Sequence, residues 1–416
     1  MKFSEKGFRL HLIKCVSRLY CLLIKNYLVL NSKNFNFDII FTTAHSFADS
    51  LFQGAYLIGN QRNQKFQIVV PLIKSKQSVR VQQNRYIYHL LSLNQPEKLK
   101  ILKNKFLSSL ITKIYSGINR NTWQKMYPNI NITHFIETYG RYTPANSTIK
   151  RGISSLIEKQ NENLRLEVLS KLGIDHNERV LVIGSRLRDW QTKNNQKPSS
   201  IYRSSSAGRF EKIAIAANSL GYRVVTVGDP NFHIDSKSSE IVNYASSKSR
   251  KPMLDVSIPA VADVIIGNLF GALDMRILNK KNVPFMSVDS PLPSLFFNEQ
   301  VNIAIPTKVF FKNGNVVPFS KLLSYTNWNG YGWADNTADI FEHEYFCDNC
   351  LLSDFNFFIS SIENTSREMN MQIERRIFGY LPKSYVDSEI HFADNIGRLS
   401  PSFLKFIDEN NDEIWN

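Results

Sequence analysis

The residues best suited to chemistry gather behind strand-like runs in the second half of the chain. Arg179–Ser185 (RVLVIGS) reads as a strand, and the long polar loop Arg186–Ser206 follows it. That loop holds Arg186, Arg188 and Asp189, and it closes on Tyr202-Arg203-Ser204-Ser205-Ser206 just before a helical pattern. Guanidinium forks bind phosphate oxygens two at a time. A helix start adds unsatisfied N–H groups and partial positive charge. Arg188 and Arg203 are therefore the leading anion ligands, with Arg186, Tyr202 and Ser205 beside them. The competing reading has solvated arginines and a serine, Ser205 or Ser206, that simply caps the helix.

Further candidates sit at other strand ends. Gly228-Asp229 closes the run Tyr222–Val227, and a carboxylate there suits a sugar or ribose hydroxyl, or the orientation of Arg188; ordinary Gly-Asp-Pro turn chemistry is the alternative. Gly267-Asn268-Leu269-Phe270-Gly271 is a glycine-flanked turn from strand to helix. Such a turn lets backbone N–H groups approach a phosphate. Asp255 starts a helical stretch and reads as an N-cap or first-turn acid, and Asp289 follows another strand. Near the N-terminus, His45 and Asp49 fall in a loop between a strand (36–42) and a helix (51–58), where either could serve as a general base toward an acceptor hydroxyl, or Asp49 could cap the helix.

The elements that must position these residues alternate. Strand patterns at 179–185, 222–227, 261–267 and 284–288 are near-continuous apolar runs, with helical patterns at 207–220 and 272–278 between them. That is the signature of a parallel sheet covered on both faces, whose ligands bind at the strands' carboxyl ends. Earlier, 36–42 and 65–72 read as strands, 83–115 as mainly helical, and 148–172 as a helical connector; the tail reads as helical from 339 to about 377.

Absent motifs narrow the chemistry. There is no Asp-x-Asp triplet, no Walker A sequence, no G-x-G-x-x-G and no G-x-S-x-G. This argues against metal-chelated diphosphate, NTPase, dinucleotide and α/β-hydrolase readings. No metal and no cofactor are expected, and a departing diphosphate would be neutralised by arginine, lysine and helix termini. Lone Cys347-x-x-Cys350 lacks the partners of a zinc site, and the four cysteines form no disulfide framework, which fits a reducing cytoplasm.

Charge is uneven. Residues 1–160 carry 24 Lys and Arg against 6 Asp and Glu; the remainder carries 27 against 30. The basic part suits an anionic membrane surface or a phosphate-bearing acceptor. Nucleic-acid binding rests on charge alone and is not expected. Phe8–Leu30 is apolar, but Arg9, Lys14, Arg18 and Lys25 interrupt it too often for a spanning helix. It reads as a basic amphipathic helix on a membrane or as a packed helix.

The motifs around the arginine loop resemble a bacterial family of GT-B glycosyltransferases encoded with surface-polysaccharide genes. Where that family has H-V-R-D, Y-R-N-S-S, G-Y-x-V-x-R-x-G-D, D-Y-A, F-M-D, F-I-G-T-x-S-G and D-N-x-x-E-I, this chain has in the same order segments beginning at Ser185, Tyr202, Gly221, Asn243, Pro252, Ile266 and Asp335. The match covers roughly residues 178–342, and the first part of the chain resembles the family only faintly. The early arginine is also similar to that of GT-B fucosyltransferases, which implies that Arg188 holds the donor's diphosphate with Arg203 and Ser205 beside it. Departures are Arg186 for the histidine, Asn268-Leu269-Phe270-Gly271 for T-x-S-G, which loses both hydroxyls, and Asp339 for the glutamate of D-N-x-x-E-I.

The resemblance implies an α/β fold of two Rossmann-like doubly wound domains facing a cleft. It also implies a nucleotide-sugar donor, a glycan or lipid-linked acceptor, and transfer at the cytoplasmic face of a membrane. The expected organisation is a basic amphipathic helix over 1–33, an acceptor-side α/β domain over 34–150 and a helical connector over 151–172. A donor-binding domain over 173–345 and a helical tail over 346–416 complete it. An inactive scaffold of the same fold that binds glycan or a partner, and a nucleotide-sugar epimerase or hydrolase, are the alternatives.

Overall fold

A computed structural model of the chain describes residues 37–43, 47–60, 66–72, 85–94, 97–102, 108–109, 130–135, 147–185, 205–235, 238–268, 271–281, 283–288, 302–305, 308–312, 315–316, 318, 342–345, 348–363 and 398–410, together with Cys15. It divides into two compact units, Met1–Gly140 and Arg141–Asn416. Among the described residues no helix is long and apolar enough to cross a membrane.

The first unit holds a four-stranded parallel sheet. Its strands are β1 (Phe37–Thr43), β2 (Phe66–Leu72), β3 (Leu99–Ile101) and β4 (Ile130–His134), in the order β3-β2-β1-β4. Helix α1 (Phe47–Gly59) connects β1 to β2, and α2 (Arg85–Leu93) precedes β3. The stretch 83–115, expected to be mainly helical, thus contains a strand: Leu99 and Ile101 alternate into the core while Lys100 stays half-buried. Three alternating residues are too short a signal to outweigh their helical surroundings.

The second unit is built on a seven-stranded sheet. Its strands are β5 (Arg179–Ser185), β6 (Tyr222–Gly228), β7 (Ile241–Val242), β8 (Val264–Gly267), β9 (Phe285–Val288), β10 (Asn302–Ile305) and β14 (Arg398–Leu399). They run in the order β14-β10-β9-β8-β5-β6-β7, all parallel. Both units are therefore parallel-sheet α/β structures, as the alternating pattern required. Period-two geometry explains why the strands read as unbroken apolar runs. Leu181 and Ile183 on β5 enter one core with Val224, Ile266, Phe210 and Ile213. Val180 and Val182 enter the opposite core with Val225, Ile265, Ile258 and Leu273. Each fully buried aliphatic side chain contributes about 1.5–3 kcal/mol.

Helices close both faces. Packed on the second core are α4 (Leu164–Leu172) and α6 (Pro252–Val261); α5 (Glu211–Ser219) and α7 (Asp348–Glu363) pack on the first. The expected connector divides into α3 (Ser147–Glu158) and α4, separated by the turn around Gln160, whose amide donates to the Leu278 carbonyl (3.0 Å). Val261, expected in a strand, instead ends α6, and β8 begins at Val264. The tail is not helical from 339. Strand β13 (Glu342–Tyr345) pairs antiparallel with β11 (Lys308–Lys312), which also pairs with β12 (Asn315–Val316). Buried Asp354 on α7 accepts the Ser402 N–H (3.1 Å) and its hydroxyl, so it caps α8 (Pro401–Glu409) and secures the segment that supplies β14.

Candidate functional site

The strand order defines the place. From β5 the chain winds one way through β6 and β7, and the other way through β8, β9 and β10. The crevice outside the carboxyl ends of β5 and β8 is the switch point, where ligands bind in open parallel sheets. The arginine-bearing segment begins one residue after β5.

Two glycines allow the central strands to end as they do. Gly267, opposite Gly184 in register, has φ +150°, and a Cβ there would lie 1.9 Å from the Gly184 carbonyl oxygen. No other residue fits this position without moving backbone. The chain then turns so that Asn268 points inward and is fully buried. Its backbone N–H donates to the Gly184 carbonyl (3.2 Å). Its side-chain Nδ2 donates to the Ser205 hydroxyl (3.0 Å) and the Val288 carbonyl (3.3 Å). The single proton of the Ser185 hydroxyl is shared between Asn268 Oδ1 (2.8 Å) and the Ser205 carbonyl (3.2 Å). One amide thus joins the ends of β5, β8 and β9 to Ser205, and both serines are buried.

Asn268, a candidate phosphate-binding residue in the sequence, has its backbone N–H engaged with Gly184 across the sheet. The side-chain contacts of Asn268 to Ser185, Ser205 and Val288 are made inward. Ser206 occupies the cap position of the 3₁₀ turn Ala207–Phe210 without a side-chain capping bond, so the capping reading fails for it. Ser205 is tied to Asn268 instead.

The end of β6 is equally organised. Asp229 is buried, donates its N–H to the Ser185 carbonyl (3.3 Å) and accepts the Asn231 N–H at Oδ1 (2.8 Å). That is an Asx turn, the local chemistry anticipated for Gly-Asp-Pro. It also sets Asp229 beside the point where the arginine segment leaves the sheet. Gly228, at φ +113°, offers its carbonyl to Arg250 Nη1 (3.0 Å). Arg250 also reaches the Ala245 carbonyl (3.1 Å) and the Asp255 carboxylate (3.1 Å). Asp255 is a first-turn acid, as expected, and it takes the Tyr244 hydroxyl as well (3.1 Å). Burial first, and then the Asp255 charge, push the Tyr244 hydroxyl well above the usual phenol range, so it remains a donor. The D-Y-A-like and F-M-D-like segments thus meet in one hydrogen-bonded unit. Arg250 was missed by sequence reasoning; its signal was a lone arginine two residues before a helix that starts with proline.

Several candidates lie outside the described residues: His45, Arg186, Arg188, Asp189, Tyr202, Arg203 and Asp289. Asp49 is not in a loop. It is the third residue of α1, which begins at Phe47. The polar run His45–Ser50 suggested a loop, but Ser50 is buried against the Tyr88 hydroxyl (3.1 Å) and helical packing extends back past it. Gly271 lies in the turn that leads to the 3₁₀ helix Leu273–Leu278, half-buried.

No protein-family model and no curated protein sequence matches this chain. Among solved structures, it is similar to the ADP-heptose lipopolysaccharide heptosyltransferase II of E. coli, at 14% identity and a TM-score of 0.37, over 67% of this chain and 92% of that one. A dodecameric iron-containing heptosyltransferase, TibC, in complex with ADP-D-beta-D-heptose, gives 11% identity and a TM-score of 0.34, over 79% and 76%. TibC from enterotoxigenic E. coli H10407 gives 11% and 0.33, over 81% and 78%.

Proposed function

We propose that the second unit binds a nucleotide-sugar by its diphosphate, and that the protein is a GT-B glycosyltransferase acting on a bacterial surface glycan or lipid-linked acceptor. One observation supports the reading: Ser185 and Ser205, the described residues that flank the segment with Arg186, Arg188, Tyr202 and Arg203, are both bonded to Asn268 at the switch point. In the proposed reaction Arg188 and Arg203 neutralise the leaving diphosphate without a metal ion. Asp229 takes a ribose or sugar hydroxyl, and Gly228 and Gly267 keep the strand ends open to close approach. Asp49 or His45 in the first unit removes the acceptor's proton, and the basic first part lies on the inner face of the membrane.

The test is binding before turnover. A panel of nucleotide sugars and nucleoside diphosphates is screened by thermal shift, since a ligand at about a hundredfold above its Kd stabilises by roughly 2.7 kcal/mol. Arg188→Ala should weaken the hit about thirtyfold, the loss of about 2 kcal/mol from one charge-assisted contact. Unchanged affinity in that variant would remove the assignment, and loss of activity in EDTA would remove its metal-free form.

A second reading is a non-catalytic scaffold of the same fold. It is favoured by the inward commitment of Asn268 where the family has hydroxyls. Sugar transfer from the hit to any acceptor, or to water, excludes it.

A further inference from the structure

We infer that Arg250 is a positioning residue: it stands in for the strand partner that β6 lacks at its carboxyl end, and so fixes the peptide that carries Asp229. That Asp229 meets a ribose or sugar hydroxyl rests on the function proposed above; the hold on the peptide does not.

One peptide unit is tied on both sides. The Gly228 carbonyl accepts from Arg250 Nη1 (3.0 Å), and the N–H of the same peptide, that of Asp229, donates to the Ser185 carbonyl (3.3 Å) at the end of β5. On the outer side β7 is too short to serve, since it pairs only Ile241 with Val224 and Val242 with Val225. Past it, the Ala245 N–H takes the Thr226 carbonyl (3.0 Å). The two-residue period of a strand turns the Gly228 carbonyl to that same side, and there a guanidinium supplies the donor. Such a charge-assisted bond is roughly twice as strong as the neutral one a strand would give. Arg250 is itself held. Its Nε and Nη2 both donate to Asp255 Oδ1 (3.3 and 3.1 Å), and its Nη1 also reaches the Ala245 carbonyl (3.1 Å). Asp255 takes the Tyr244 hydroxyl (3.1 Å), whose oxygen accepts the Lys251 N–H (3.0 Å). A fixed fork therefore sets a glycine at φ +113°, a residue with little steric preference of its own, and the buried carboxylate that follows it.

The experiment uses the full-length protein. Arg250→Ala and Asp255→Asn are compared with Arg223→Ala. Arg223 lies on the same strand near its amino end, where it bonds Glu178 (2.6 Å) and the Ser239 carbonyl (2.9 Å). Asp255→Asn keeps the shape of its side chain and removes the charge that fixes the guanidinium, so it decides the question if Arg250→Ala does not fold. The first readout needs no ligand: hydrogen exchange of the Asp229 amide under native conditions, followed by mass spectrometry of short overlapping peptides. Exchange there should accelerate at least about tenfold in Arg250→Ala, and at least about threefold in Asp255→Asn. Arg223→Ala should lower the melting temperature and leave this exchange unchanged. Equal acceleration in Arg223→Ala, or none in Arg250→Ala or Asp255→Asn, overturns the hold. The second readout is the Kd of the tightest binder among ADP, GDP and UDP. It should rise about tenfold in Arg250→Ala, or in Asp255→Asn, and no further when either change is added to Asp229→Ala, since residues that act as a unit are not additive. An unaltered Kd, or losses that add, overturns the positioning role. If none of the three binds the native protein, the proposed function and the positioning role fail together, while the exchange result still decides the hold.

Discussion

The two edges of the seven-stranded sheet are held by different chemistry. At the amino edge, charge does the fastening. Arg165 on α4 bonds Asp263 (2.8 Å) and the carbonyls of Val261 and Glu178, and Asp263 also accepts the Val180 N–H (2.8 Å). Arg223 grips Glu178 (2.6 Å), and Arg179 lies over the Tyr222 ring and donates to Leu220. At the carboxyl edge β5 and β8 are joined by uncharged groups, a serine pair, one asparagine and close-packed glycines, while the Arg250–Asp255 pair fastens the neighbouring end of β6. The contrast sets the arginines that staple the amino edge apart from those that follow β5 in sequence, for which we propose an anion. In sequence the two kinds look the same.

Breaking the carboxyl edge should cost most at Gly267. Gly267→Ala forces a Cβ to within 1.9 Å of the Gly184 carbonyl. A loss of about 4 kcal/mol or more is expected, read as a collapse of the urea midpoint or as failure to accumulate folded protein. Breaking the amino edge should cost less and leave binding alone. Asp263→Ala removes the acceptor of both Arg165 and the Val180 N–H, about 2 kcal/mol. If that variant also lost nucleoside diphosphate affinity, the division of labour between the edges would be wrong.

The smallest effect is electrostatic. Hydrogen bonding from Arg223 holds the Glu178 carboxyl below the usual glutamate range. A depressed acid pKa stabilises the fold above the unfolded-state value, and the contribution fades as pH falls through the folded-state value. Glu178→Gln should therefore destabilise by less than about 1 kcal/mol at neutral pH and by progressively less below pH about 4.5, since this pair is partly exposed. A constant difference down to pH 3 would show that Glu178 acts by packing and not by charge.

Much of the framework was legible because burial on a strand is a local pattern. The runs at 179–185 and 284–288 agree with β5 and β9 to within a residue, and the turn chemistry of Gly228-Asp229 was readable from three letters. The misplacements have a common cause. The helix start at Phe47, the strand at Leu99–Ile101 and the strand at Glu342–Tyr345 are short or polar, and they are settled by partners far away in the chain. Ser50 turns inward because Tyr88 waits for it; Glu342–Tyr345 is a strand because Lys308–Lys312 offers an edge.

By itself, the sequence determined the class of fold, two-faced apolar strands alternating with helices, and the position of the arginines just past a strand's end. Both follow from side-chain chemistry and nearest-neighbour spacing. Only the tertiary structure decided that β8 lies beside β5, so that this strand end is the switch point. It also decided that Asn268 faces inward to hold Ser185 and Ser205, residues 83 and 63 positions away in the chain. Strand order and the direction of a buried amide depend on which distant backbone groups need partners, and no local pattern records that.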